Sequence, residues 1–154
     1  MVTNHKELSD DAFLHQLEEG TIDPALFNHE AHIRMAWLYL TRTELEPALA
    51  SIIKIIRQLD NQYANGKKYH HTITMCFSLI IALQTRQNKF ENWQAFIHEH
   101  PSLANPKALL AEFYHEATLY SDQAKKRFVP PDKNTAADFL NLVGTVPYLV
   151  KYKI

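Results

Sequence analysis

The sequence predicts an all-α protein: an antiparallel helical bundle with additional short C-terminal helices, formed as one domain over residues 1–154. Three observations lead there. Glycine occurs only at positions 20, 66 and 144, which leaves long stretches free of breakers. Within those stretches apolar residues recur at steps of three and four, the period of one helix face. Capping residues stand at their beginnings, and glycine or proline follows their ends.

The first helix starts with Ser9 as cap, carries Asp10 and Asp11 where the helix dipole favours acids, and stops at Gly20. Phe13, Leu14 and Leu17 form its buried stripe. The second is capped by Asn28 and runs to about Thr41, with His29, His32, Ala36 and Leu40 on one face. The third opens on Thr43-Glu44-Leu45-Glu46, which reads as a capping box, and tolerates Pro47 in its first turn. Leu49, Ile52, Ile56, Leu59 and Tyr63 then give the best heptad-like face in the chain, ended by Asn65-Gly66.

The fourth helix extends from near Tyr69 to about Gln87. His70, Ile73, Phe77 and Ile80 share its stripe, Thr74 and Ile81 lie beside it, and the stripe fades at Gln84. The remainder is less regular. A short helix covers Asn92 to His98, and Asn105-Pro106 opens another through about Ala117. Ser121 caps a further turn before Phe128-Val129-Pro130-Pro131. From Asp132 onward a coil or short helix covers the bundle, anchored by Phe139, Leu140, Leu142 and Val143.

Composition excludes several classes. A 46% hydrophobic content and 21% charge are ordinary for a globular chain and argue against disorder. The net charge is −1, and the one short basic cluster, Lys125-Lys126-Arg127, is too small to predict nucleic-acid binding. A lone Cys76 excludes an internal disulfide and disfavours a thiolate centre. The first residues lack the apolar core of a signal peptide, and the longest apolar stretch, Met75 to Leu83, is too short to span a bilayer. The expected location is the cytoplasm, without a membrane partner.

What stands out is histidine, nine residues in all. Asn28-His29-Glu30-Ala31-His32-Ile33-Arg34 opens the second helix, and Tyr69-His70-His71-Thr72-Ile73-Thr74 opens the fourth. Short links on either side of the third helix make neighbours antiparallel, so the second and fourth run parallel with their N-termini at one end. His29, His32 and His70 then converge as metal ligands, the minimum protein set for a catalytic metal with an open position. The positive helix ends disfavour imidazolium, leaving neutral imidazole to bind metal, and favour a small anionic substrate. Zinc, iron and nickel all suit imidazole.

Glu30 and Thr74 are the candidate assisting residues, as general base and as an orienting hydroxyl. An exposed Glu30–Arg34 ion pair at i, i+4 is the favoured alternative for Glu30, and a hydroxyl bonded to its own helix is an equal alternative for Thr74. His71 falls off the inward stripe and reads as solvent-facing or supporting. Tyr114-His115-Glu116 holds two further donors of undetermined direction.

Across these two motifs, and more weakly at Ala124-Lys125-Lys126-Arg127-Phe128-Val129-Pro130-Pro131-Asp132, the chain resembles an uncharacterised family of small helical bacterial proteins. The shared patterns are F-x-H-x-x-H-x-R-x-A-W from Phe27 to Trp37 and Y-H-x-T-I-T from Tyr69 to Thr74. The resemblance implies a helical fold and no particular activity. That family usually carries glutamate at the position of His71.

Two functional readings follow. One is a metal-binding helical protein, a metal-dependent hydrolase or oxidoreductase acting on a small molecule. The other is a metal-free helical binding or interaction module whose histidines are structural.

Overall fold

Helix capping and apolar periodicity together generate nine α-helices among the residues described by the computed structural model, 1–133 and 137–146, with no strand among them. They are α1 (Asp10–Glu19), α2 (His29–Arg42), α3 (Leu45–Ala64), α4 (His71–Gln87), α5 (Trp93–Glu99), α6 (Pro106–Ala111), α7 (Glu116–Leu119), α8 (Asp122–Lys126) and α9 (Ala137–Gly144). The fold is all-α, as the sequence predicts.

The caps act where the sequence places them in α1, α2, α6 and α8: Ser9, Asn28, Asn105 and Ser121 each accept a first-turn backbone N–H, and Asn92, expected as the first residue of its helix, caps α5 in the same way. α3 differs. Its cap position is Glu44, which makes no side-chain cap bond, and the Thr43 hydroxyl instead donates to the Tyr39 carbonyl at the end of α2. With only two residues between the helices, Thr43 serves the orphan carbonyl behind it and not the N–H groups ahead.

At its far end α3 closes on Asn65 and Gly66, both at positive φ, 55° and 73°. The positive φ of Gly66 favours glycine, while a Cβ there would meet only the movable end of the exposed Asn61 side chain, at 2.8 Å. Asp60 then grips the following loop. Its carboxylate oxygens accept the N–H groups of Lys68 and Tyr69, each at 2.9 Å, which sets the entry of the chain into α4.

α2 packs against both α3 and α4, and α4 is enclosed further by α6, α8 and α9. The core includes Phe13, Leu17, Ile33, Met35, Leu38, Leu49, Ile52, Met75, Leu79 and Phe96, all fully buried. Burying each of these large side chains contributes about 1.5–3 kcal/mol.

The N-terminal segment is fastened by a residue that the sequence reading left on the surface. Arg34 is buried, not exposed in a pair with Glu30. Its guanidinium donates to the carbonyls of His5 and Leu8 and to Asp10, and lies over the rings of Phe13 and Trp93. Five donors in a planar fork, plus two aromatic faces, make the burial of this charge tolerable.

Two C-terminal expectations are corrected. The helix opened by Pro106 ends at Ala111 and not near Ala117, because the chain turns to bury Tyr114, whose hydroxyl donates to the Val129 carbonyl. Asp132 accepts the His115 N–H and so supports the separate start of α7. In α9, Phe139 and Leu142 anchor the helix while Leu140 is 49% exposed. Residues 134–136 and 147–154 of the expected C-terminal cover lie outside the described residues.

Candidate functional site

The starts of α2 and α4 and the end of α3 meet at one pole, where they border a cavity of about 490 Å³ that opens broadly to solvent. This is the arrangement of parallel α2 and α4, with α3 antiparallel between them, that the short links dictate. His29, His32, His70 and Thr74 all line it. So do Ile52, Ile56, Leu59 and Tyr63, the face of α3 with the clearest heptad spacing. Phe27, Met35, Ala36, Tyr69, Ile73 and Phe77 complete a predominantly apolar wall, and the exposed Pro24, Tyr63 and Lys68 mark its mouth.

Each histidine in the cavity has a different hydrogen-bond state. His70 is the N-cap of α4: its Nδ1 accepts the Ile73 N–H at 3.1 Å, and its Nε2–H donates to the Leu119 carbonyl at 2.8 Å. Both ring nitrogens are therefore engaged. Burial lowers its pKa, with the nearby Lys125 charge acting in the same direction against the Leu119 hydrogen bond. His29 donates Nε2–H to the Leu103 carbonyl at 2.7 Å and meets Phe77 edge to face. Its Nδ1 is left as an acceptor.

His32 stacks on Phe27, with ring centroids 3.9 Å apart and planes at 22°. Burial, with a smaller contribution from His29, pushes its pKa down to about 4, so the imidazole is neutral at physiological pH. No side chain or backbone group among the described residues hydrogen-bonds to it. No buried side-chain nitrogen or oxygen among those residues lacks a partner, so the His32 nitrogens open into the cavity.

The three imidazoles thus share a cavity, in which His70 spends its lone pair on the cap and its N–H on Leu119. Among the described residues no group of three or more His, Cys, Asp or Glu side chains has an arrangement that could hold a metal ion.

The other predicted site residues fall as follows. Thr74 donates its hydroxyl to the His70 carbonyl at 2.9 Å, the bond to its own helix, while still lining the cavity. Glu30 does not line the cavity. Its carboxylate accepts from His5 Nε2–H at 2.9 Å and pairs with Lys6 at 3.5 Å, on the side of α2 that faces the N-terminal segment. His71 is fully buried, not solvent-facing, and shares a 2.8 Å hydrogen bond with the Tyr69 hydroxyl. It does not line the cavity. His115 is exposed beside Asp132, and neither it nor Glu116 lines this cavity.

Sequence reasoning missed Asp60, which positions the loop before His70, and the carbonyls of Leu103 and Leu119, which saturate two imidazoles. Carbonyl partners 74 and 49 residues away leave no trace in local spacing.

No protein-family model, curated protein or solved structure matches the chain.

Proposed function

We propose that the protein binds a small molecule in the cavity between α2, α3 and α4, with no three-histidine metal centre. The observation that supports this reading is the cavity itself. Its volume falls in the usual range for ligand pockets, and it combines an apolar wall with a few polar groups at one end. On α3 the face of Ile52, Ile56, Leu59 and Tyr63 is only partly closed by packing: Ile52 and Leu59 are buried, while Ile56 and Tyr63 stay partly open on the cavity beside the ring of His32. The buried, unpaired Cys76 fits the reducing cytoplasm expected for such a protein.

A second reading rests on a narrower observation. His29 and His32 stand three residues apart on one helix, with an acceptor nitrogen free on each. Zinc, iron or nickel held there would draw its remaining ligands from substrate or solvent, which is the route to hydrolase or oxidoreductase chemistry.

The test is calorimetric titration of 2-naphthol, a two-ring probe, into the wild-type protein and into Ile56→Trp, which fills the cavity. Saturable one-to-one binding lost in a variant that retains its Tm supports the first reading. Binding unchanged by the filled cavity contradicts it. Stoichiometric metal in protein purified without a histidine tag, lost in His32→Ala, would replace it with the second reading.

A further inference from the structure

The cavity's two ends differ chemically. Around α3 the wall is mainly aliphatic, formed by Ile52, Ile56 and Leu59 with Ile73 of α4, and Tyr63 stands at the mouth. At the start of α2 it is aromatic and polar, formed by Phe27, the His32 ring stacked on it, and His29. Of these polar groups only His32 has both ring nitrogens uncommitted, and a neutral imidazole offers one donor and one acceptor. His29 adds an acceptor at Nδ1. His70 adds nothing, since both its nitrogens are used.

Charge complementarity narrows the occupant. Among the described residues no lysine or arginine lines the interior, and Lys68, the one on the wall, is exposed at the mouth. The first-turn N–H groups that would favour an anion are partly satisfied, by Asn28 on Ala31 and by His70 on Ile73. The Asp60 carboxylate is held by the N–H groups of Lys68 and Tyr69, leaving it poorly placed to recruit a cation. An ionised group carried in beside this largely apolar wall would give up hydration for few compensating partners.

Size narrows it further. A cavity of ~150 Å³ accommodates one benzene. At about 490 Å³ this one takes a body of roughly two to three rings. Aromatic walls at Phe27, Tyr63, Tyr69 and Phe77 favour ring-on-ring contact.

We propose that the ligand is an uncharged aromatic molecule of this size, carrying a hydroxyl or ring N–H at one edge that meets the His32 imidazole. The inference rests on the small-molecule reading above and specifies its chemistry.

Three probes of one size separate the possibilities by calorimetry at pH 7.5: naphthalene, 2-naphthol and 2-naphthoate. The expected order places 2-naphthol about tenfold tighter than naphthalene, the worth of one good hydrogen bond, with 2-naphthoate the weakest. In His32→Phe, which keeps the stack on Phe27, the advantage of 2-naphthol disappears while naphthalene still binds. His32→Gln, which keeps a donor and an acceptor, retains part of that advantage and serves if the phenylalanine variant fails to fold. Tighter binding of 2-naphthoate than of 2-naphthol, equal affinity for naphthalene and 2-naphthol, or an advantage that survives in His32→Phe would overturn the inference. Failure of all three probes to bind would instead overturn the small-molecule reading beneath it.

Discussion

His70 and Leu119 are joined by a 2.8 Å hydrogen bond from the imidazole Nε2–H to the backbone carbonyl, while the same ring caps α4 through Nδ1. One side chain thus begins a core helix and ties the end of α7 to it. Replacing it removes two bonds at once and leaves a carbonyl and a helix N–H seeking partners. His70→Ala is expected to lower stability by about 2 kcal/mol, and His70→Asn, which restores the cap but does not reach Leu119, by about half that. Chemical denaturation measures both. The losses are expected to be the same with and without a chelator. A loss seen only in the absence of chelator would mean that the ring serves a metal.

Arg34 makes a contrasting prediction, since it holds the N-terminal segment and not the cavity. Arg34→Met leaves Asp10 and the carbonyls of His5 and Leu8 without their donor, and is expected to destabilise by about 3 kcal/mol. Arg34→Lys keeps the charge but lacks the planar fork, so it recovers little of the loss. Thermal unfolding measures the change. Binding of 2-naphthol by the folded fraction is expected to be unaltered, because Arg34 does not line the cavity.

The histidines predict an acid limb to stability. His32 has a folded pKa of about 4 against an ordinary value of 6.5, so between those values the unfolded chain binds more protons. Stability therefore rises with pH through this window. The contribution is fully present above pH 6.5 and is lost as pH falls to 4, amounting to at most about 3 kcal/mol. His5 and His70, lowered chiefly by burial, act in the same direction. Denaturation midpoints at a series of pH values are expected to fall less steeply in His32→Phe than in the wild type. An unchanged slope would show that the ring is protonated without penalty.

Local chemistry made the fold readable from sequence, and distant partners hid much of the site. Asn28 and Asn105 announce their helices because a cap bond spans three residues, and the pole shared by His29, His32 and His70 follows from two short links. What spacing does not carry is the choice each polar group makes among distant partners. His70 resembles a ligand in sequence, yet its lone pair is taken by Ile73 of its own helix and its proton by Leu119. Glu30 and Arg34 stand at ion-pair spacing, yet each turns to the N-terminal segment, one to His5 and the other to Asp10. Ile56 and Tyr63 share the period of the buried Ile52 and Leu59 yet stay partly open on the cavity, since period alone does not distinguish a packed neighbour from open space.

Methyl NMR during titration with 2-naphthol tests the central claim most directly. The account predicts saturable shifts at Met35, Ile52, Ile56, Leu59 and Ile73, which line the cavity, with little change at Leu14, Leu17 or Leu110, which do not. Shifts centred on the latter group, or none at all at saturating probe, would contradict it.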